Sequence, residues 1–158
     1  MMAGSHVVIG MGVWMIAAPH LGFSPFSPTA LALAAGSALM PDVDHPKSWV
    51  GRRLRPLSTV LAGLLGHRGA THSLVAVIGC VWLLASHGLP RGVVAPLAVG
   101  YLSHLAADML TPGGLRLAWP LRGTWSLPLC RTGSWGEQVV VLGVLGSAWW
   151  ASGVFRHF

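Results

Sequence analysis

The sequence predicts an all-α, polytopic membrane bundle in one domain, and three observations point there. Of 158 residues, 53% are hydrophobic and only 9% charged, with a mean hydropathy of +0.64; a soluble domain carries roughly a quarter charged residues. The apolar residues form runs closed by prolines and glycines. The basic residues sit in the loops between those runs, as membrane topology requires, and not interleaved with aromatics on a polar face. The formal charge of +6 therefore reads as topology, and no nucleic-acid partner is expected.

The first apolar run, residues 7–18, leads into a loop holding Pro19, Pro25 and Pro28. The second, residues 29–40, stops at Pro41. About twelve residues cover roughly 18 Å of a hydrocarbon core about 30 Å thick, so this pair either extends into its flanks or forms a half-membrane hairpin. The basic stretch 47–55 is followed by a short apolar stretch, 57–65, too brief to span and suited to the interface. Residues 74–86 predict a helix and 87–90 a turn. The next helix, 93–110, carries Tyr101, Ser103, His104 and Asp108 in its last third, and Thr111-Pro112-Gly113-Gly114 stops it. Residues 115–129 mix Trp119, Trp125, Arg116 and Arg122 with leucines, a mixture that suits the headgroup layer; Pro120 and Pro128 exclude a continuous helix. The last helix, 137–155, reads as the clearest span. The sum is about four to five membrane segments. The N-terminus has no basic n-region and a poor cleavage site at 17–19, so the first helix is expected to be retained. Cys80, inside an apolar run, reads as a small buried hydrophobe; with Cys130 it matches no zinc-ribbon or disulfide pattern.

With these segments crossing, Lys47, Arg52, Arg53, Arg55, Arg68, Arg116, Arg122 and Arg131 fall on one side, and Arg91 and Arg156 on the other. The positive-inside rule makes the first side, and the N-terminus, cytoplasmic. His6, His45, His67, His72 and all four carboxylates map to that face, with His104 one turn inside the membrane. His20, His87 and His157 map to the other face without an acid. One site built from distant helix ends follows.

The stretch Pro41-Asp42-Val43-Asp44-His45-Pro46 holds two of the four carboxylates. Both converge only if it turns; one then binds metal while the other orients a histidine or caps a segment, or both are solvated acids neutralised by nearby bases. His104 and Asp108, four apart on a helix, share a face, as two metal ligands or as a packing hydrogen bond. His67 and His72 flank Arg68-Gly69, with Thr71 or Ser73 as helix cap. His6 opens the first helix. Glu137 opens the last, where a carboxylate suits the helix dipole. A cluster of imidazoles and carboxylates suits zinc, manganese or iron, not a thiolate site.

The stretches LMPDVDHPKS, GHRGATHSL and GYLSHLAADMLTPGGLRLAWP resemble the signature segments of the YdjM-like inner-membrane proteins. The resemblance covers His6 through Pro120 and implies a metal-dependent hydrolase, distantly similar to the zinc-dependent phospholipase C and nuclease group. That group's HxxxD metal motif is similar to His104 and Asp108. Its later HxxxE motif has no counterpart, because Gly133 stands four residues before Glu137.

The expectation is therefore a membrane-bound, divalent-metal-dependent hydrolase of phosphoesters, lipids included. His6, Asp42, Asp44, His67, His72, His104 and Asp108 are the candidate ligands. Glu137 is a candidate ligand or general base and Arg68 a phosphate contact. The expected partners are the bilayer and a phospholipid or other phosphoester. A metal or proton translocator and a scaffold with a structural metal are the competing readings.

Overall fold

The computed structural model describes residues 1–65 and 69–153. Among them the chain forms helices α1 (Ala3–Ala17), α2 (Pro28–Ser37), α3 (Trp49–Arg53), α4 (Arg55–Leu65), α5 (Leu74–Ser86), α6 (Arg91–Met109) and α7 (Trp135–Ala151). Short 3₁₀ turns occupy Ala18–Leu21, Pro41–Asp44 and Ala70–His72. The described residues contain no strand, only an isolated antiparallel bridge in the loop after α6, where Leu115 and Trp125 exchange N–H···O bonds of 2.9 and 2.8 Å.

Helix α1 is central and packs on α2, α6 and α7; α2 packs also on α6, and α5 lies chiefly against α6. Small residues set these approaches, as expected where no water drives apolar side chains together. A Cβ at Gly100 would overlap the carbonyl oxygen of Ala34 and the hydroxyl of Ser37. Helices α2 and α6 therefore cross backbone to backbone, at a position only glycine fits.

The interior is polar and the exterior apolar. Ser5, His6, Ser37, Ser103, His104, Asp108 and Glu137 are buried, while Ile78, Trp82, Val139 and Leu142 stand outward, each about two-thirds exposed. Such a surface suits hydrocarbon better than water. Two apolar clusters brace the bundle. Trp14, Ala18, Ala30 and Ala34 fill the end remote from His6; Val77, Tyr101, Leu105 and Leu115 tie α5, α6 and the following loop together.

Two helical stretches among the described residues are long and apolar enough to cross a membrane, Ala3–Leu21 and Arg91–Met109; Leu74–Ser86 is a shorter apolar helix. Of the four to five segments expected from the sequence, these two reach spanning length among the described residues. Helix α2 has only 10 residues, half a hydrocarbon core at 1.5 Å rise per residue. Helix α7, expected as the clearest span over 137–155, closes at Ala151 after 17 residues. Helix α1 begins earlier than the apolar run, at Ala3, because its polar first turns are buried against the other helices and not solvated. The basic stretch holds a helix the hydropathy pattern did not foretell: the Ser48 hydroxyl accepts from Gly51 N (2.8 Å) and donates to Asp42 O (2.8 Å), capping α3 and pinning it to the turn before it. Cys80 is a correction. It is exposed, because α5 buries only Val77 and turns its neighbouring residues outward.

Candidate metal centre

Helix α6 carries His104 and Asp108 toward the bundle interior, where both are at most 2% exposed. The end of α2 delivers the carbonyl of Ala38, one of the acceptors every helix C-terminus leaves unpaired. His104 Nδ1 lies 2.7 Å from it. A carbonyl only accepts, so Nδ1 holds the proton and Nε2 keeps its lone pair.

His72 is fixed in the same manner from the other side. Its Nδ1 lies 3.3 Å from Asp44 Oδ2, and the Thr71 hydroxyl donates to that same oxygen. The Tyr101 hydroxyl donates to the Thr71 carbonyl (2.6 Å), so α6 also holds this turn. With Nδ1–H directed at a carboxylate, His72 too presents Nε2 as a base. A carboxylate or carbonyl behind each imidazole is the usual outer shell of a metal-binding histidine.

The two Nε2 atoms face each other at 3.3 Å. Two lone pairs at that distance repel unless a proton or a metal cation lies between them. The separation equals the edge of a zinc tetrahedron, roughly 3.3 Å for metal–nitrogen bonds of about 2.0–2.1 Å. Asp42 Oδ1 stands 4.0 Å from each Nε2. On the other flank, His6 stacks on His104 with centroids 3.9 Å apart. His6 Nε2 lies 3.3 Å from Asp108 Oδ1, and Asp108 Oδ2 lies 3.8 Å from His104 Nε2. The Met1 amino group also donates to Asp108 Oδ1, at 2.7 Å. His6 Nδ1 is buried without a hydrogen-bond partner among the described residues.

Two triads thus adjoin through His104: Asp42, His72 and His104, and His6, His104 and Asp108. In each, the donor atoms lie within 4.8 Å of one another. These donors suit a divalent ion of the zinc, manganese or iron type. Cys130 is buried nearby, its thiol 3.7 Å from the Leu110 carbonyl. Burial, and secondarily the Glu137 charge, push that thiol above its ordinary value, and it belongs to neither triad of ligand atoms.

Five of the sequence's candidates therefore meet: His6, Asp42, His72, His104 and Asp108. Asp44 lies outside both triads, behind His72 as its orienting partner. Glu137 stands apart from the cluster. Its carboxylate accepts from Met2 N (2.7 Å) and Gly133 N (2.6 Å), clamping the starts of α1 and α7 together. Backbone amides at the starts of α1 and α7 and the dipole of α7 hold it there, and it too belongs to neither triad. His67 and Arg68 lie outside the described residues, as does His157. His20 and His87 are exposed, and His87 Nδ1 turns to the Leu83 carbonyl, 2.9 Å away. The contributions of Ala38, Thr71 and Tyr101 were not foreseen; the signal for Ala38 is its place at a helix end that precedes a proline.

A cavity of about 230 Å³ opens over the cluster, lined by Asp42, His45, Lys47, Asp108 and Thr132 among others.

An all-helical chain with a buried histidine–carboxylate centre is the class these features define. The chain belongs to the YdjM inner membrane protein family, whose profile matches residues 1–157. It is 45% identical over 98 residues to the inner membrane protein YdjM of Escherichia coli K12, covering 59% of this chain and 50% of that one. The Shigella flexneri protein of the same name matches to the same extent. The uncharacterized protein YvsG of Bacillus subtilis 168 is 34% identical over 143 residues, 89% of this chain and 87% of that one. The chain thus spans half the length of the two YdjM relatives and most of YvsG. No solved structure matches it.

Proposed function

We propose that this protein is a multi-pass inner-membrane, metal-dependent hydrolase of phosphoesters, with its centre at the cytoplasmic face. The observation that carries the reading is the pair of facing Nε2 lone pairs, each fixed by an acceptor on the opposite ring nitrogen, with Asp42, Asp108 and His6 around them. The inner-membrane location is supported by the family and the names of the relatives, and by the apolar exterior.

Asp42, His72 and His104 would hold one ion; His6 and Asp108 extend the site toward a second position. His104 belongs to both triads; Asp42 contributes a carboxylate to one and Asp108 to the other. A divalent cation held there would supply electrophilic activation of a phosphoryl oxygen and of an attacking water. The chain's own residues do the rest. Ala38 and Asp44 fix the two imidazoles, and burial of His6, His72 and His104 excludes bulk water from the ligand atoms. Asp42, the partly exposed acid, lines the mouth, so the ion it would hold is the one a substrate entering there would meet.

The translocator reading lacks such support. The end of the bundle remote from His6 is filled by Trp14, Ala18, Ala30 and Ala34, which continue no polar path. A scaffold with a structural metal differs from an enzyme by having no open coordination position, and assay separates the two. Purified protein should contain zinc or a similar ion, and His104→Ala should lose it. Phosphoester hydrolysis should stop with a chelator and return with metal. Protein that binds metal through His104 yet cleaves neither phosphomonoesters nor phosphodiesters would be the scaffold.

A further inference from the structure

We propose that the cleft formed by Lys47, Arg52 and Arg55 is the phosphate-recognition site of this centre, a proposal that rests on the phosphoesterase reading. Pro46, Lys47, Arg52 and Arg55 line a cavity of about 650 Å³. Lys47 also lines the mouth over Asp42 and Asp108. The two spaces are therefore neighbours that share a wall, one cationic, the other leading to the metal ligands.

The position of the cleft is built in. A Cβ at Gly51 would overlap the His45 carbonyl oxygen, so α3 lies directly on the segment that delivers Asp42. Ser48 bonds both to Asp42 O and to Gly51 N. Helix α4 packs on the same 3₁₀ turn. A shift of the basic residues relative to the metal ligands would have to break these contacts.

The chain has four carboxylates. Asp42, Asp44 and Asp108 surround the histidines, and Glu137 is held by backbone amides. Among the described residues no acid pairs with Lys47, Arg52 or Arg55. Arg53, by contrast, is engaged locally: it stacks on Trp49 at 3.6 Å and donates to the Trp49 carbonyl at 3.1 Å. Three exposed cations around one cavity call for an anion from outside. Two guanidiniums and an ammonium match the several oxygens of a phosphate, which arginine binds through paired hydrogen bonds. Trp49, Leu54 and Leu57 are exposed beside them, an apolar border that fits the headgroup layer of a bilayer. A lipid headgroup and a soluble phosphate share the recognised chemistry.

The test uses the full chain in phosphatidylcholine nanodiscs, zinc-loaded and metal-free. Inorganic phosphate binding is measured by calorimetry. In parallel discs carrying phosphatidic acid, lipid retained by the protein is measured by native mass spectrometry. Wild-type protein should bind phosphate, phosphatidate or both, even without zinc. Phosphate binding identifies a soluble source; retention of phosphatidate alone identifies the headgroup. Replacing both arginines (Arg52→Gln with Arg55→Gln) should weaken whichever ligand binds by at least about tenfold and leave zinc content unchanged. If that variant fails to fold, Lys47→Gln should give a smaller loss in the same direction. Unaltered affinity in folded variants, or no binding of either probe by wild type, overturns the cleft. Loss of phosphate affinity in a protein that binds no zinc would retain the cleft and overturn the metal reading instead.

Discussion

His104 has two ring nitrogens and two different employments. Nδ1 is held by Ala38, and Nε2 faces His72, Asp42 and Asp108. Removing the ring removes a shared member of both triads, so His104→Ala should lower the zinc content of purified protein to background. Asp44→Asn is the subtler case. It keeps an acceptor for His72 Nδ1 but removes the charge that raises the basicity of Nε2. Loss of such an outer partner costs roughly 10- to 100-fold in metal affinity, so zinc should still bind, measurably more weakly in a chelator competition. Unchanged affinity would show that Asp44 only braces Thr71. His20→Ala and His87→Ala should leave zinc content unaltered, since both rings are exposed and belong to neither triad.

Helices α2 and α6 must cross closely for Ala38 to reach His104, and Gly100 permits it. Gly100→Val should force the pair apart, at a cost of about 1–3 kcal/mol for an overpacked contact. Its distinguishing mark should be weakened zinc binding with every ligand intact. Gly79→Val is the control, because a Cβ there meets nothing within 4 Å. Thermal melting in detergent and zinc content, measured together, check both; a Gly100→Val protein that melts and binds like wild type would contradict the crossing. The same contrast explains what the sequence made legible. The bounds of α5 and the end of α6 are local facts, written in Gly88, Pro90 and Thr111-Pro112-Gly113-Gly114. The His104–Asp108 spacing is likewise local. Whether Asp42 or Asp44 faces the histidines is decided by a turn meeting His72, 28 residues further on. Glu137 is captured by an amide 135 residues away. Neither pairing leaves a periodic trace.

The molecule as a whole is asymmetric along α6. Arg91 opens that helix and Asp108 lies in its last turn, roughly 25 Å further along at 1.5 Å per residue. The segments that carry Lys47, Arg52, Arg53, Arg55, Arg116, Arg122 and Arg131 join helices at the Asp108 end, while Arg91 marks the other. With an apolar exterior between them, the positive-inside rule leads us to propose one orientation: the histidine–carboxylate cluster and basic cleft toward the cytoplasm, the α5–α6 turn outside. Single cysteines test it, once Cys80 and Cys130 are replaced by serine. An impermeant maleimide added to intact cells should label a cysteine placed at position 88, in that turn, and leave one at position 52 untouched until the membrane is opened. Labelling at 52 from outside would invert the molecule. The ligand geometry would survive that result, but the centre would then face the periplasm, and its substrate would have to be sought in the outer leaflet and not among cytoplasmic or inner-leaflet phosphoesters.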